Sequence, residues 1–138
     1  MWTIAEEQML DIRFDDATLF VQLIRLLKDI VVDGVLRCHT NGMTLQAMDA
    51  SHVVLCTFTL STNAFASYAC EQPLRLGVHL SSLDSILRCA KKDDTMLFKS
   101  GSDSDTLHIS FQNKNNHRSV CFELKLMHLN IDELDIPD

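Results

Sequence analysis

Leu76-Gly77-Val78-His79-Leu80-Ser81-Ser82-Leu83-Asp84-Ser85-Ile86-Leu87-Arg88 is the stretch from which the fold can be read. Leu76, Val78 and Leu80 alternate with other residues, the period of a half-buried strand. Ser81 or Ser82 then offers a cap for a short helix. Its buried face would carry Leu83, Ile86 and Leu87, with Asp84, Ser85 and Arg88 turned outward. Downstream, Thr95–Ser100, Thr106–Phe111 and Ser119–Met127 read as strands, and in the last of them Val120, Phe122, Leu124 and Leu126 alternate. The same order stands earlier in the chain. Leu10, Ile12 and Phe14 predict a strand, and Asp15 or Asp16 a helix cap. Leu19, Phe20, Leu23, Ile24, Leu27 and Ile30 predict an amphipathic helix with Thr18, Gln22, Arg25 and Lys28 on its polar face. Val35–Cys38, Met43–Ala47 and His52–Leu60 predict three strands, the first two joined at Asn41-Gly42. The spacing therefore predicts strand–helix–three strands twice over. A duplicated βαβββ unit of this kind belongs to the α+β class, with two helices on one face of antiparallel sheets.

Composition narrows the function. The chain has 138 residues, 46% of them hydrophobic and 22% charged, as a folded domain requires and a disordered one does not. Twelve Lys and Arg stand against 19 Asp and Glu, a formal net charge of -7. That argues against coating nucleic acid with bulk positive charge, but not against a local basic stripe. Arg25 and Lys28 on the first helix, with Arg88, Lys91 and Lys92 closing the second, would form such a stripe if the helices lie side by side. Cations at helix C-termini also suit the helix dipole without any ligand. No apolar run is long enough to span a membrane, and Met1-Trp2-Thr3-Ile4-Ala5-Glu6-Glu7 lacks the apolar segment of a signal peptide.

Signatures of catalysis and cofactor binding are missing. Cys38, Cys56, Cys70, Cys89 and Cys121 are widely spaced and contain no CxxC pair, which points to free thiols in a reducing compartment. None of His39, His52, His79, His108, His117 and His128 forms a close pair suited to zinc. The pairs Asp15/Asp16, Asp93/Asp94 and Asp103/Asp105 fall at turns or helix starts, where capping explains them. No phosphate loop, dinucleotide fingerprint or nucleophile elbow occurs. Neither an enzyme nor a cofactor is expected.

Several segments carry a family resemblance. Leu45-Gln46-Ala47-Met48-Asp49-Ala50-Ser51-His52-Val53, Leu76-Gly77-Val78-His79-Leu80-Ser81-Ser82-Leu83 and Ile86-Leu87-Arg88-Cys89-Ala90 resemble the proliferating cell nuclear antigen (PCNA) family of eukaryotic sliding clamps. So do Glu123-Leu124-Lys125-Leu126-Met127 and Ile131-Asp132-Glu133-Leu134-Asp135-Ile136-Pro137. The ordered matches run from Met9 to Asp138. The resemblance implies an N-terminal clamp domain over residues 9–138, an N-terminal extension over 1–8, and no second clamp domain within this chain. It further implies a ring around double-stranded DNA that acts as a polymerase processivity factor in nuclear replication and repair. Its partners would be DNA polymerase, the clamp loader and proteins bearing a PCNA-interacting motif, with assembly as a homo- or hetero-oligomer.

Residue by residue, the resemblance assigns DNA contacts to Arg13, Lys28 and Arg88, within a described DNA-binding stretch Ala69–Arg88 for the last. Val21, Gln22 and Ser85 stand where the family carries further lysines, so weaker DNA contact is expected. Met48, His52, Val53, Leu134, Ile136 and Pro137 match a partner-motif pocket, and Phe122 matches a subunit-interface aromatic. Loss of the inner lysines with half of the pocket retained leaves a second reading. In it the chain is a non-encircling interaction or regulatory protein that binds clamp subunits or their partners.

Overall fold

The computed structural model describes residues 8–49, 51, 53–91, 93–101, 105–113, 115 and 117–127. Strand β1 (Gln8–Phe14) leads into helix α1 (Thr18–Leu27), followed by β2 (Asp33–His39), β3 (Gly42–Met48) and β4 (Leu55–Ser61). A short 3-10 turn (Thr62–Ala64) and β5 (Ser67–Cys70) precede β6 (Leu74–His79), helix α2 (Leu80–Leu87), β7 (Thr95–Gly101), β8 (Thr106–Asn113) and β9 (Arg118–Lys125). The expected repeat is present with one addition, the edge strand β5, which pairs with β1. The α+β class and the paired helices are as the sequence implied.

The two repeats exchange their first strands. One sheet runs β5-β1-β7-β8-β9 and the other β4-β3-β2-β6, so β1 joins the second meander and β6 joins the first. Every pairing is antiparallel. In β1 the alternation puts Leu10, Ile12 and Phe14 in the core, while Leu36 and Cys38 on β2 and Leu76 and Val78 on β6 do the same in the second sheet. Neither meander could bury its apolar face alone.

Phe20 of α1 ties the two sheets together. Its ring lies 5.3 Å from Phe14, 5.5 Å from Phe98 and 6.4 Å from Phe58, reaching β1 and β7 of one sheet and β4 of the other. These tilted and edge-on contacts suit the aromatic quadrupole. Phe20, Ile24 and Leu27 form the buried face of α1, and Leu80, Leu83 and Leu87 that of α2. Leu19 and Ile30, expected to be buried, are about half exposed, and Leu26 is exposed as well. A helix resting on the sheets at one face cannot bury an apolar stripe that runs beyond about a third of its circumference.

Local boundaries differ from the sequence reading for identifiable reasons. Thr18 opens α1, and Asp16 accepts bonds from its N–H at 3.0 Å and its hydroxyl at 2.6 Å. Leu80 belongs to α2 rather than to the strand before it. The Nδ1 of His79 accepts the Ser82 N–H at 3.3 Å and caps that helix in place of Ser81 or Ser82. At the β2–β3 hairpin Gly42 has φ +144°, and a Cβ there would meet the Leu60 carbonyl oxygen at 2.3 Å. The same Gly42 carbonyl accepts the Tyr68 hydroxyl at 2.7 Å, which anchors β5 to the other sheet. His52 lies outside the described residues, and β4 begins only at Leu55.

Asp94 secures the other end of the domain. Its carboxylate accepts the Lys91 N–H at 2.8 Å and the Asn113 side-chain amide at 3.1 Å, and it pairs with Arg118. The exit of α2, the end of β8 and the start of β9 thus meet on one buried acid. Burial alone would raise its pKa, but the Lys91 N–H, Arg118 and Asn113 together hold it below the ordinary aspartate value.

Three expectations follow from this packing. Phe98→Ala removes a fully buried ring that touches both Phe14 and Phe20; it should cost about 3–5 kcal/mol in urea unfolding. A depressed acid stabilises the fold above its unfolded pKa and loses that contribution as pH falls through the folded value. Stability should therefore drop below about pH 4, and Asp94→Asn should flatten that acid limb in melts recorded across pH. Burial pushes the Cys38 thiol up to about 12, whereas Cys89 and Cys121 are exposed. A thiol reagent should modify Cys89 and Cys121 in the native protein and reach Cys38 only on unfolding.

Candidate nucleic-acid and partner interfaces

Because β1 and β6 each run straight into a helix, the strand exchange brings α1 and α2 into contact. Their outward residues therefore share one surface. Arg25 and Arg88 meet on it around Asp84. Arg88 Nε donates to Asp84 Oδ2 at 2.9 Å and Arg25 Nε approaches Asp84 Oδ1 at 3.5 Å. Asp84, expected to face outward, is buried, with its side chain 2% exposed. Its position one residue after Leu83 explains the error, for it sits at the seam where α2 meets α1 rather than on the free side. Both arginines remain more than half exposed.

Lys28 closes α1, and its ammonium pairs with Asp29 at 3.2 Å. It lies one turn beyond Arg25, so Arg25, Lys28 and Arg88 form the positive element of the helical face. Beside them a groove of about 560 Å³ is lined by Thr18, Val21, Arg25, Arg88, Lys91 and Asp94, among others. Arg13 stands apart from this group. It alternates with the buried Ile12 and Phe14, so it leaves the opposite face of β1, and its Nε pairs with Asp15 at 3.2 Å. The stretch Ala69–Arg88 spans the end of β5, all of β6 and α2, and its contribution to the helical face comes from α2. Lys92 lies outside the described residues.

A second surface lies at the β3–β4 turn. Asp49 accepts the Ser51 hydroxyl at 2.6 Å and the N–H groups of Val53 and Val54 at 2.9 Å each. The Ser51 hydroxyl first, and the Val54 and Val53 N–H groups with it, hold the Asp49 carboxyl below the ordinary aspartate value. The turn tied on this carboxylate leaves a run of apolar side chains at the surface. Val53 is 80% exposed, Val54 and Leu55 are exposed beside it, and Met48 is half-buried at the end of β3. Of the expected pocket, His52, Leu134, Ile136 and Pro137 fall outside the described residues.

The sheets also end in open edges. Their inner ends β5 and β6 are joined through the short turn Glu71-Gln72-Pro73. At the outer ends, β4 and β9 have no further strand partner among the described residues. Phe122 lies on β9, its ring edge-on to Phe111 at 6.1 Å and half-buried, so it packs partly on its own core. Open edges of seven and eight residues offer a ladder to another chain. Among the described residues, no group of three or more His, Cys, Asp and Glu could hold a metal ion, and no helix is long and apolar enough to cross a membrane.

Comparison with known proteins places this architecture. The family model described as "Proliferating cell nuclear antigen, N-terminal domain" matches residues 9–134. Proliferating cell nuclear antigen 2 of Drosophila melanogaster is 35% identical over 129 residues, covering 94% of this chain and 51% of that protein. Proliferating cell nuclear antigen of Chaetomium thermophilum is 35% identical over 130 residues, covering 94% of this chain and 50% of its own length. The chain thus spans about half the length of the curated relatives it matches. With the duplicated fold, the paired helices and this match agreeing, the chain belongs to the proliferating cell nuclear antigen family, to which it corresponds over the N-terminal clamp domain.

Proposed function

We propose that residues 9–138 act as a non-catalytic module of a DNA sliding clamp, a processivity factor for DNA polymerase in nuclear replication and repair. Residues 1–8 are an upstream segment in this reading. The observation that carries it is the shared helical face, where Arg25 and Arg88 remain more than half exposed and Lys28 lies one turn on, paired with Asp29, in a domain of net charge -7. A clamp needs this asymmetry. Cations confined to the DNA-facing surface hold phosphates without reading bases, and an acidic exterior avoids sticking elsewhere. Lys28 and Arg88 are the backbone contacts of the proposal, and Arg13 with the rest of Ala69–Arg88 is a more peripheral one.

Assembly falls to the β4 and β9 edges, with Phe122 at the joint. An edge-to-edge contact between two different edges is head-to-tail, and repetition of it closes a ring if the rotation per domain allows. Encirclement depends on such assembly. Duplex DNA is about 20 Å across, and a domain of this length has a radius of gyration near ~14 Å. The turn bearing Met48, His52 and Val53, with Leu134, Ile136 and Pro137, is proposed to receive motif-bearing partner proteins. The clamp loader and polymerase are the expected company.

One observation favours the alternative of a non-encircling interaction protein. Val21 and Gln22 on α1 and Ser85 on α2 bring no charge to the helical face. Topology separates the two readings. The clamp reading expects the protein, supplied with clamp loader and ATP, to be retained on circular duplex DNA at raised salt and released when the circle is cut. Equal retention on circular and linear DNA, or none, would support the non-encircling protein instead. Phe122→Ala should lower the mass seen by light scattering toward that of a single chain, with the circular-dichroism spectrum preserved. An unchanged mass would remove Phe122 from the joint.

A further inference from the structure

We infer that Arg25 and Arg88, held side by side by the buried Asp84 carboxylate, form a paired-guanidinium site for one phosphate of a DNA backbone, with Asp84 as its positioning residue. This deepens the clamp reading and rests on the helical face meeting duplex DNA. The geometry has three parts. Asp84 contacts the two arginines through different oxygens, Oδ1 for Arg25 and Oδ2 for Arg88, so the guanidiniums lie next to each other across the α1–α2 seam. Both arginines reach the acid through Nε. An arginine has five N–H donors, so the four on its terminal nitrogens are left for another acceptor, in the fork geometry that suits phosphate oxygens.

Charge supplies the third part. One carboxylate between two guanidiniums leaves one positive charge over, and the exposed sides of both arginines face solvent. Four aspartates line the adjoining groove, and three of them, Asp93 being the exception, are engaged by other groups. Asp94 pairs with Arg118, Asp15 with Arg13, and Asp16 is bonded to Thr18. A phosphate oxygen facing both forks would neutralise the surplus and complete a network already fixed on its buried side. Fixing matters because free arginine side chains lose rotamer entropy on binding. A carboxylate buried among Leu80, Leu83 and Leu87 is otherwise a costly placement. Here it couples two helices and aims two donors at one place.

The test is fluorescence anisotropy of the full chain on a short labelled duplex, titrated over a series of low salt concentrations. Arg25→Gln and Arg88→Gln should each weaken binding about three- to tenfold and lower the salt slope by up to about one. The double variant should lose less than the product of the single losses, since the two arginines serve one phosphate. Asp84→Asn should weaken binding even though it removes a negative charge, while Lys99→Gln, on the five-stranded sheet, reports the effect of net charge alone. Tighter binding by a folded Asp84→Asn would overturn the positioning role. Arg25→Gln alters an exposed side chain and is not a threat to the fold; no change in its affinity and slope beyond that of Lys99→Gln would overturn the site by itself. Failure of the unaltered chain to bind duplex at the lowest salt would refute DNA contact by the helical face, and the site with it. Normal binding that is indifferent to Arg25 would refute the site alone.

Discussion

The exchange of β1 and β6 between the two repeats is the constraint on which the rest of this domain depends. Each meander receives its fourth core strand from the other repeat, so neither can complete a sheet by itself. A single core follows, with Leu10, Ile12 and Phe14 of β1 facing one meander's residues and Leu76 and Val78 of β6 facing the other's. Since α1 and α2 follow these two strands directly, their adjacency is a consequence of the exchange. Phe20 then fixes the distance of α1 from both sheets. The positive face exists because two strands crossed over.

The same topology underlies the surfaces proposed for contact with other molecules. The chain turns directly from the end strand β5 of one sheet into the end strand β6 of the other, and β4 and β9 end the two sheets on their far sides. In the proposed reading, one surface of helices and two unlike edges serve as a building block for a closed assembly with a lined interior. A net charge of -7 need not oppose local contact with DNA, since Arg25, Lys28 and Arg88 gather on the helices while the other described cations are spread over strands and loops. Val53 and its neighbours, held out by Asp49, lie at the β3–β4 turn. The acids Asp84, Asp94 and Asp49 have related tasks, each gathering donors from separate segments at a junction.

Much of the fold was legible because burial enforces periodicity. The alternation in β1, β8 and β9 and the turn at the β2–β3 hairpin are visible as patterns, and the duplicated order exposes the topology class. Other features depend on contacts far apart in sequence. Strand β5 is four residues with one buried cysteine, too short for a pattern. Leu19 and Ile30 share the helical spacing of the core residues, and only the way α1 lies on the sheets leaves them exposed. Asp84 looked solvent-facing because a lone acid in an amphipathic helix usually is; its burial requires Arg25, 59 positions away in sequence. Asp94 resembled a turn residue, and its Arg118 partner comes from another strand. The stripe of Arg25, Lys28 and Arg88 was expected from spacing if the helices lay side by side, and the family resemblance singled out Lys28 and Arg88; the meeting of Arg25 and Arg88 on a buried Asp84 required the structure.

The central claim is that the surface formed by α1 and α2 is the one that meets duplex DNA. Chemical-shift mapping of the isotopically labelled chain with a short duplex tests it most directly. The account predicts shifts concentrated on α1 and α2, including the side-chain Nε resonances of Arg25 and Arg88, with the outer face of the five-stranded sheet unaffected. Shifts concentrated on that outer sheet face, with α1 and α2 silent, would contradict it.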